Sequence, residues 1–173
     1  MRTNLKYGLI TGIIVGAFAV LFFALVNWLN TSYNWGMQPS NIRGVGGLLT
    51  IVILATGIYL TMQAVKKEQA NKLTYGQALK VGVIVAVITA VLVALFGFIY
   101  CQFLNPGYAQ YMVSEAQKAM AANGETPQQI AEHSKSVQAE FSTGGQVMQA
   151  LVGQTVVGTV VSLILGAFLR SKK

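Results

Sequence analysis

The sequence predicts an all-α membrane protein: a four-transmembrane-helix bundle with an extracytoplasmic helical hairpin between spans three and four. Three observations carry this. Only 10% of the residues are charged and 54% are apolar, against about a quarter charged in an ordinary soluble domain. Four runs reach about 20 mostly apolar residues, enough to cross about 30 Å of hydrocarbon at about 1.5 Å per helical residue. Lys and Arg gather at the ends of those runs rather than along one soluble face. The 173 residues read as a single membrane domain, with spans at about 7–29, 45–64, 79–103 and 147–169 and an outer loop at about 104–146.

Span one follows Arg2 and Lys6 and contains Ala17-Phe18-Ala19, which mimics a signal-peptide cleavage site. Apolar residues continue to Leu29, past the usual h-region of about 7–15 residues, so the segment reads as an uncleaved anchor. Trp28, Tyr33 and Trp35 mark an interfacial aromatic belt. Residues 30–43, with Gly36 and Pro39, read as a short turn-rich connection to span two. Before span three, Thr74 is placed to N-cap the helix, Gly76 permits close approach to a neighbour, and Lys80 can snorkel to the headgroups. Asn105-Pro106-Gly107 ends that span, because proline disfavours helix at the residue before it.

The outer loop is long enough to carry its own structure. Residues 108–122 are helix formers, with Glu115 and Lys118 three apart on one face, and Asn123-Gly124 breaks the helix. Thr126-Pro127-Gln128-Gln129 then forms a start signal: threonine as N-cap, proline at the first helical position, and glutamine closing a capping box. In the second helix Ile130, Val137 and Phe141 form an apolar stripe, with Ser134 between them. The stripe is a candidate partner face or a cover for the bundle. Ser142-Thr143-Gly144-Gly145 leads into span four.

Counting Lys and Arg sets the orientation. Arg2, Lys6, Lys66, Lys67, Lys72, Lys80, Arg170, Lys172 and Lys173 lie on one side; Arg43, Lys118 and Lys135 lie on the other. Of the acidic residues only Glu68 joins the first group. The expectation is that both termini and the middle connection are cytoplasmic. The net charge of +7 is thereby a topology signal and not a nucleic-acid patch.

Helices associate in lipid through small residues that let backbones approach. Span one offers Gly8, Gly12 and Gly16; span three Gly82, Ala86, Ala90 and Ala94; span four Gly158, Ser162 and Gly166; span two Thr50, Gly57 and Thr61. These are the candidate helix-packing positions. The span interiors lack Asp, Glu, Lys, Arg and His, which argues against an ion-coupled transporter. Threonines there can bond their own helix carbonyls. Gln102 and Gln154 remain as candidate polar contacts of the bundle, bonding one another, water or a solute. A weak internal similarity, Leu5-Lys6-Tyr7-Gly8 with Leu73-Thr74-Tyr75-Gly76, suggests two helical hairpins of like orientation.

No catalytic, cofactor or metal site is expected. The single cysteine, Cys101, excludes an intramolecular disulfide and reads as a small buried hydrophobe. His133 stands alone and makes no zinc site; it reads as a solvated helix residue. Glu132 and His133 are neighbours pointing to different helix faces, so they form no acid–base pair.

Several segments together resemble a bacterial family known as domain of unknown function 4199. They are 74–82 (Thr-Tyr-Gly-Gln-Ala-Leu-Lys-Val-Gly), Phe103-Leu104-Asn105-Pro106, Gly124-Glu125-Thr126-Pro127 and the terminal Arg170-Ser171-Lys172-Lys173. The resemblance implies a four-span protein of the bacterial inner membrane and supplies no activity. The expected function is a non-enzymatic accessory or scaffold protein whose partners are the lipid bilayer and another membrane protein or a second copy of itself. The alternative is a small homo-oligomeric channel for a neutral or weakly polar solute.

Overall fold

The computed structural model describes residues 2–33 and 39–171, and among these the ordered elements are all helical. In chain order they are α1 (Arg2–Tyr33), α2 (Pro39–Glu68), α3 (Tyr75–Ile99), a π-helical segment (Tyr100–Leu104), α4 (Tyr108–Ala122), α5 (Pro127–Phe141) and α6 (Thr143–Leu169). Within them Arg2–Val26, Asn41–Glu68, Tyr75–Leu104 and Thr143–Leu169 are long and apolar enough to cross a membrane. Leu21, Leu48, Val91 and Phe168 stand exposed on the periphery, a surface suited to acyl chains rather than to water.

The helices overrun the apolar cores that mark them in the sequence. Residues 30–33 belong to α1 and 39–43 to α2, so much of the expected turn-rich connection is helical. Pro39 opens α2 at a position where its missing N–H costs nothing. Trp35 and Gly36 lie outside the described residues, as do Lys172 and Lys173. At the far side, 143–146 is not linker but the first turn of α6, capped by Ser142, whose hydroxyl accepts from the Gly145 N–H. Thr74 and Thr126 close capping boxes with Gln77 and Gln129.

Small residues decide how the spans meet. A Cβ on Gly8, Gly12 or Gly16 would strike Ile88, Leu92 and Phe96 in turn, so α3 lays large side chains into a glycine groove of α1. On its other face α3 meets α6 small-to-small. A Cβ on Gly158 would lie 2.3 Å from that of Ala86, one on Gly82 would meet Ser162, and Gly166 faces Ala78. Ala90 is buried on the same α3 stripe. Gly57 of α2 sits against Thr11 of α1. Around the bundle α1 packs on α2 and α3, α3 on α6, and α6 on α2.

One end of the bundle is basic and closed. Leu54, Ile58, Met62, Val65, Leu73, Ala78, Val81 and Val85 form a buried cluster, flanked by Val157, Val161, Leu165 and Leu169 of α6. The connection after α2 turns through Ala70 and Asn71, both left-handed (φ 50° and 63°). Ser171 locks it: its N–H donates to the Leu73 carbonyl and its hydroxyl accepts from the Leu73 N–H. Lys66 Nζ donates to the Leu169 carbonyl at 3.0 Å. The opposite end carries α4 and α5, which pack on one another and are tied by a hydrogen bond from Gln117 Nε2 to Ser134 Oγ at 3.0 Å.

Candidate functional site

At the end bearing α4 and α5 the four spans part and leave a cavity of about 340 Å³, within the size range of small-molecule sites. α1 lines it with Gly16, Ala19, Val20 and Phe23, α2 with Arg43, Gly47, Thr50 and Ile51, and α3 with Val93, Phe96 and Gly97. Tyr100 and Cys101 of the π-helical segment, Tyr108 of α4, and Gln146, Gln149, Gly153, Gln154 and Val157 of α6 complete it. Glycines create much of the space: a Cβ on Gly47, Gly97 or Gly153 would meet nothing within 4 Å. The cavity begins where the α3–α6 small-residue stripe ends, one turn beyond Gly158.

The π-helical segment shapes one wall. Its ladder is wider by one residue, as in the bond from the Asn105 N–H to the Tyr100 carbonyl at 2.8 Å, and such turns recur at functional sites. The mouth is roofed by the α4–α5 pair. Cys101, Tyr108, Met112 and Phe141 form a second buried cluster, with Val137 against it. Tyr108 stands edge-on to Tyr100 at 5.8 Å and to Phe141 at 6.1 Å, the geometry preferred by ring quadrupoles. Burial pushes the Tyr108 phenol up to about 12, with the Arg43 charge pulling the other way.

Arg43 is the centre of the polar rim. Its guanidinium lies 4.3 Å over the Phe141 ring, donates to Gln149 Oε1 at 3.2 Å, and stands 3.7 Å from Glu140 Oε1. One residue of α2 thus touches both α5 and α6. Gln149 Nε2 in turn donates to Glu140 Oε1 at 3.4 Å, and Gln146 Nε2 donates to the Glu140 carbonyl at 3.3 Å.

Of the residues singled out from sequence, Gly16, Thr50, Cys101 and Gln154 line the cavity and Phe141 lies at its mouth. The other packing glycines and alanines sit at helix contacts away from it. Gln102 and Gln154 do not bond one another. Gln102 Nε2 donates to Thr143 Oγ1 at 3.0 Å, and Gln154 is eleven residues further along α6, about 16 Å on the helix axis. Of the Ile130–Val137–Phe141 stripe, Phe141 is buried with Val137 packed against its cluster, and Ile130 is half-buried. His133 is not merely solvated, since its Nδ1 lies 2.8 Å from Glu125 Oε2. Arg43, Gln146, Gln149 and Tyr108 escaped the sequence reading. The signal was present at the start of α6, where Gln146 and Gln149 are one turn apart and Gln154 follows in a mostly apolar helix.

Gln154 Oε1 is buried with no hydrogen-bond partner among the described residues, as is Thr89 Oγ1. An unpaired buried amide costs about 1–3 kcal/mol. Gln154→Leu is therefore expected to raise stability by about 1 kcal/mol, read by SDS or thermal unfolding in detergent. A loss of similar size would mean that the amide has a partner in the native membrane.

Among the described residues no group of three His, Cys, Asp or Glu side chains comes together to hold a metal ion. Searches of curated proteins and of solved structures each return no match. A family profile described as "Protein of unknown function (DUF4199)" matches residues 6–171. With four helices long and apolar enough to cross a membrane and nearly the whole chain matched, this protein belongs to the DUF4199 family.

Proposed function

We propose that the protein is a non-enzymatic membrane-embedded binding protein, an accessory component that holds another membrane constituent. The carrying observation is the cavity at the α4–α5 end, polar at its rim, apolar in its walls and backed by a buried cluster toward the basic end. A pocket with a packed floor suits retention. Conduction through one chain would need a path past Leu54, Ile58 and Met62, all fully buried. A channel would therefore have to form between copies, and flux from liposomes at high protein density is its separate test. In this reading the protein lies in the bacterial cytoplasmic membrane with both termini inside, so the cavity opens to the outer face. The chemistry around it supplies amides, phenols and a guanidinium held for recognition rather than an acid–base pair poised for proton transfer.

The test is mild-detergent extraction from native membranes followed by native mass spectrometry. The wild-type protein is expected to retain a bound membrane constituent that the double variant Gly97→Leu, Gly153→Leu loses. Neither glycine's Cβ meets a neighbour within 4 Å, so both leucines start into the cavity's open space, and an unchanged unfolding transition in detergent checks that the fold is kept. A wild-type protein that emerges as bare as the double variant would refute the reading.

A further inference from the structure

We infer that the cavity selects a single-chain anionic amphiphile, its carboxylate or phosphate on Arg43 and its chain along the apolar walls beneath. The inference rests on the binding reading above and adds the ligand's chemistry. Arginine presents five N–H donors in a planar fork that matches carboxylate and phosphate oxygens. Among the described residues Arg43 spends one hydrogen bond, on Gln149, while its Glu140 contact, at 3.7 Å, is longer than a hydrogen bond. Donors on the guanidinium thus remain for a ligand. Its side chain is 28% exposed and lines the cavity, whereas Glu140 is 48% exposed and lines none of it. Glu140 is a weak competitor at the rim and the cation belongs to the pocket.

Below Arg43 the surroundings turn apolar: Val20 and Phe23 of α1, Ile51 of α2, and Phe96 of α3. Thr50 is already spent, since its hydroxyl donates to the Gly46 carbonyl at 2.8 Å. A cavity of about 340 Å³, at about 30 Å³ for a water-sized group, takes roughly eleven such groups, which is a headgroup and a short chain. Phe141 beneath the guanidinium fixes its plane, so the fork is held in place before a ligand arrives.

The pair Arg43 and Glu140 provides the discriminating experiment, because a merely structural tie and an anion site move in opposite ways. Saturation binding of radiolabelled decanoate at pH 8 is measured on the full chain in nanodiscs, with empty nanodiscs subtracted. Arg43→Gln is expected to weaken binding at least tenfold, Arg43→Lys to keep part of it, and Glu140→Gln to tighten it several-fold. Decan-1-ol should bind at least tenfold more weakly than decanoate, and inorganic phosphate should not compete.

If Arg43→Gln and Glu140→Gln weaken binding equally, the pair only pins α5 and the anion site is overturned. Equal binding of decan-1-ol and decanoate also overturns it while leaving a neutral-ligand pocket and the binding reading intact. Competition by phosphate at concentrations matching decanoate would leave a headgroup site without a chain channel, and the amphiphile falls. Absence of saturable binding, or binding untouched by Gly153→Leu, overturns this inference, while the binding reading beneath it stands or falls separately on the native mass spectrometry.

Discussion

Gly158→Ala is expected to lower the stability of the bundle by about 1–3 kcal/mol, the range for inserting a methyl into a packed contact, and Ala86→Gly is expected to restore most of that loss. The added Cβ would lie 2.3 Å from the Ala86 Cβ and 3.3 Å from its Cα. No rotamer change can relieve a clash between two Cβ atoms, so α3 and α6 must separate along their common stripe. Separation also disturbs Gly82 against Ser162 and Gly166 against Ala78, the next two turns of the same stripe. Moving the methyl from one helix to the other returns one Cβ to the contact. The double-mutant cycle, read by unfolding in mixed detergent, should therefore show a favourable coupling of 1 kcal/mol or more. Additive losses would mean that α3 and α6 do not approach this closely in the membrane. Gly153→Ala serves as the control, since its Cβ enters open space.

Gly145→Ala should release the α4–α5 roof. Only Ser142 separates α5 from α6, and a Cβ on Gly145 would stand 2.2 Å from the Ala139 carbonyl oxygen and 2.4 Å from that of Glu140. Both are backbone atoms at the end of α5, so the helix itself has to move, at a cost of about 3 kcal/mol. That movement carries away Phe141 and Val137, which cover Cys101. The measurement is maleimide labelling of Cys101, a free and buried thiol. The variant is expected to label at least tenfold faster than wild type, while Gly144→Ala, with nothing within 4 Å of its Cβ, labels at the wild-type rate. Equal labelling of all three would show that the α5–α6 turn tolerates the methyl and that the roof is not held by it.

The two predictions rest on glycines of different legibility. Gly158 stands in a small-residue stripe with Ser162 and Gly166, and four-residue spacing in an apolar run announces a close helix contact by itself. What spacing could not say is which helix it meets, because every span carries such a stripe. Gly145 looked like loop, since Ser-Thr-Gly-Gly is polar and flexible in composition. The structure makes it the first turn of α6, where Ser142 supplies the cap and glycine alone clears the preceding helix. Thr126-Pro127-Gln128-Gln129 was readable for the opposite reason: a capping box involves four consecutive residues, and no distant contact is required to form it.

The cavity was the least legible feature. Its lining comes from α1, α2, α3, α4 and α6 together with the π-helical segment, and emptiness is a property of how helices diverge rather than of any residue. Arg43 counted, in sequence, as one of three charges on the sparsely basic side. Only the packing of α5 over α2 gives it Phe141 and Glu140 as neighbours. In the same way Gln154 Oε1, about three turns below the first residues of α6, is left without a partner among the described residues because the spans part at its level and Gln102 is held elsewhere by Thr143.

Sequence by itself determined the number of spans, their helical state and the small faces by which they pack, because hydrocarbon leaves the backbone few ways to satisfy its own hydrogen bonds. Tertiary structure decided which faces meet, that Phe141 and Val137 of α5 pack into the chain's own roof, and that a glycine-lined cavity with one guanidinium opens beneath it. Those are long-range facts. They depend on distances between residues more than a hundred positions apart, such as Arg43 and Gln149, and no local pattern encodes them.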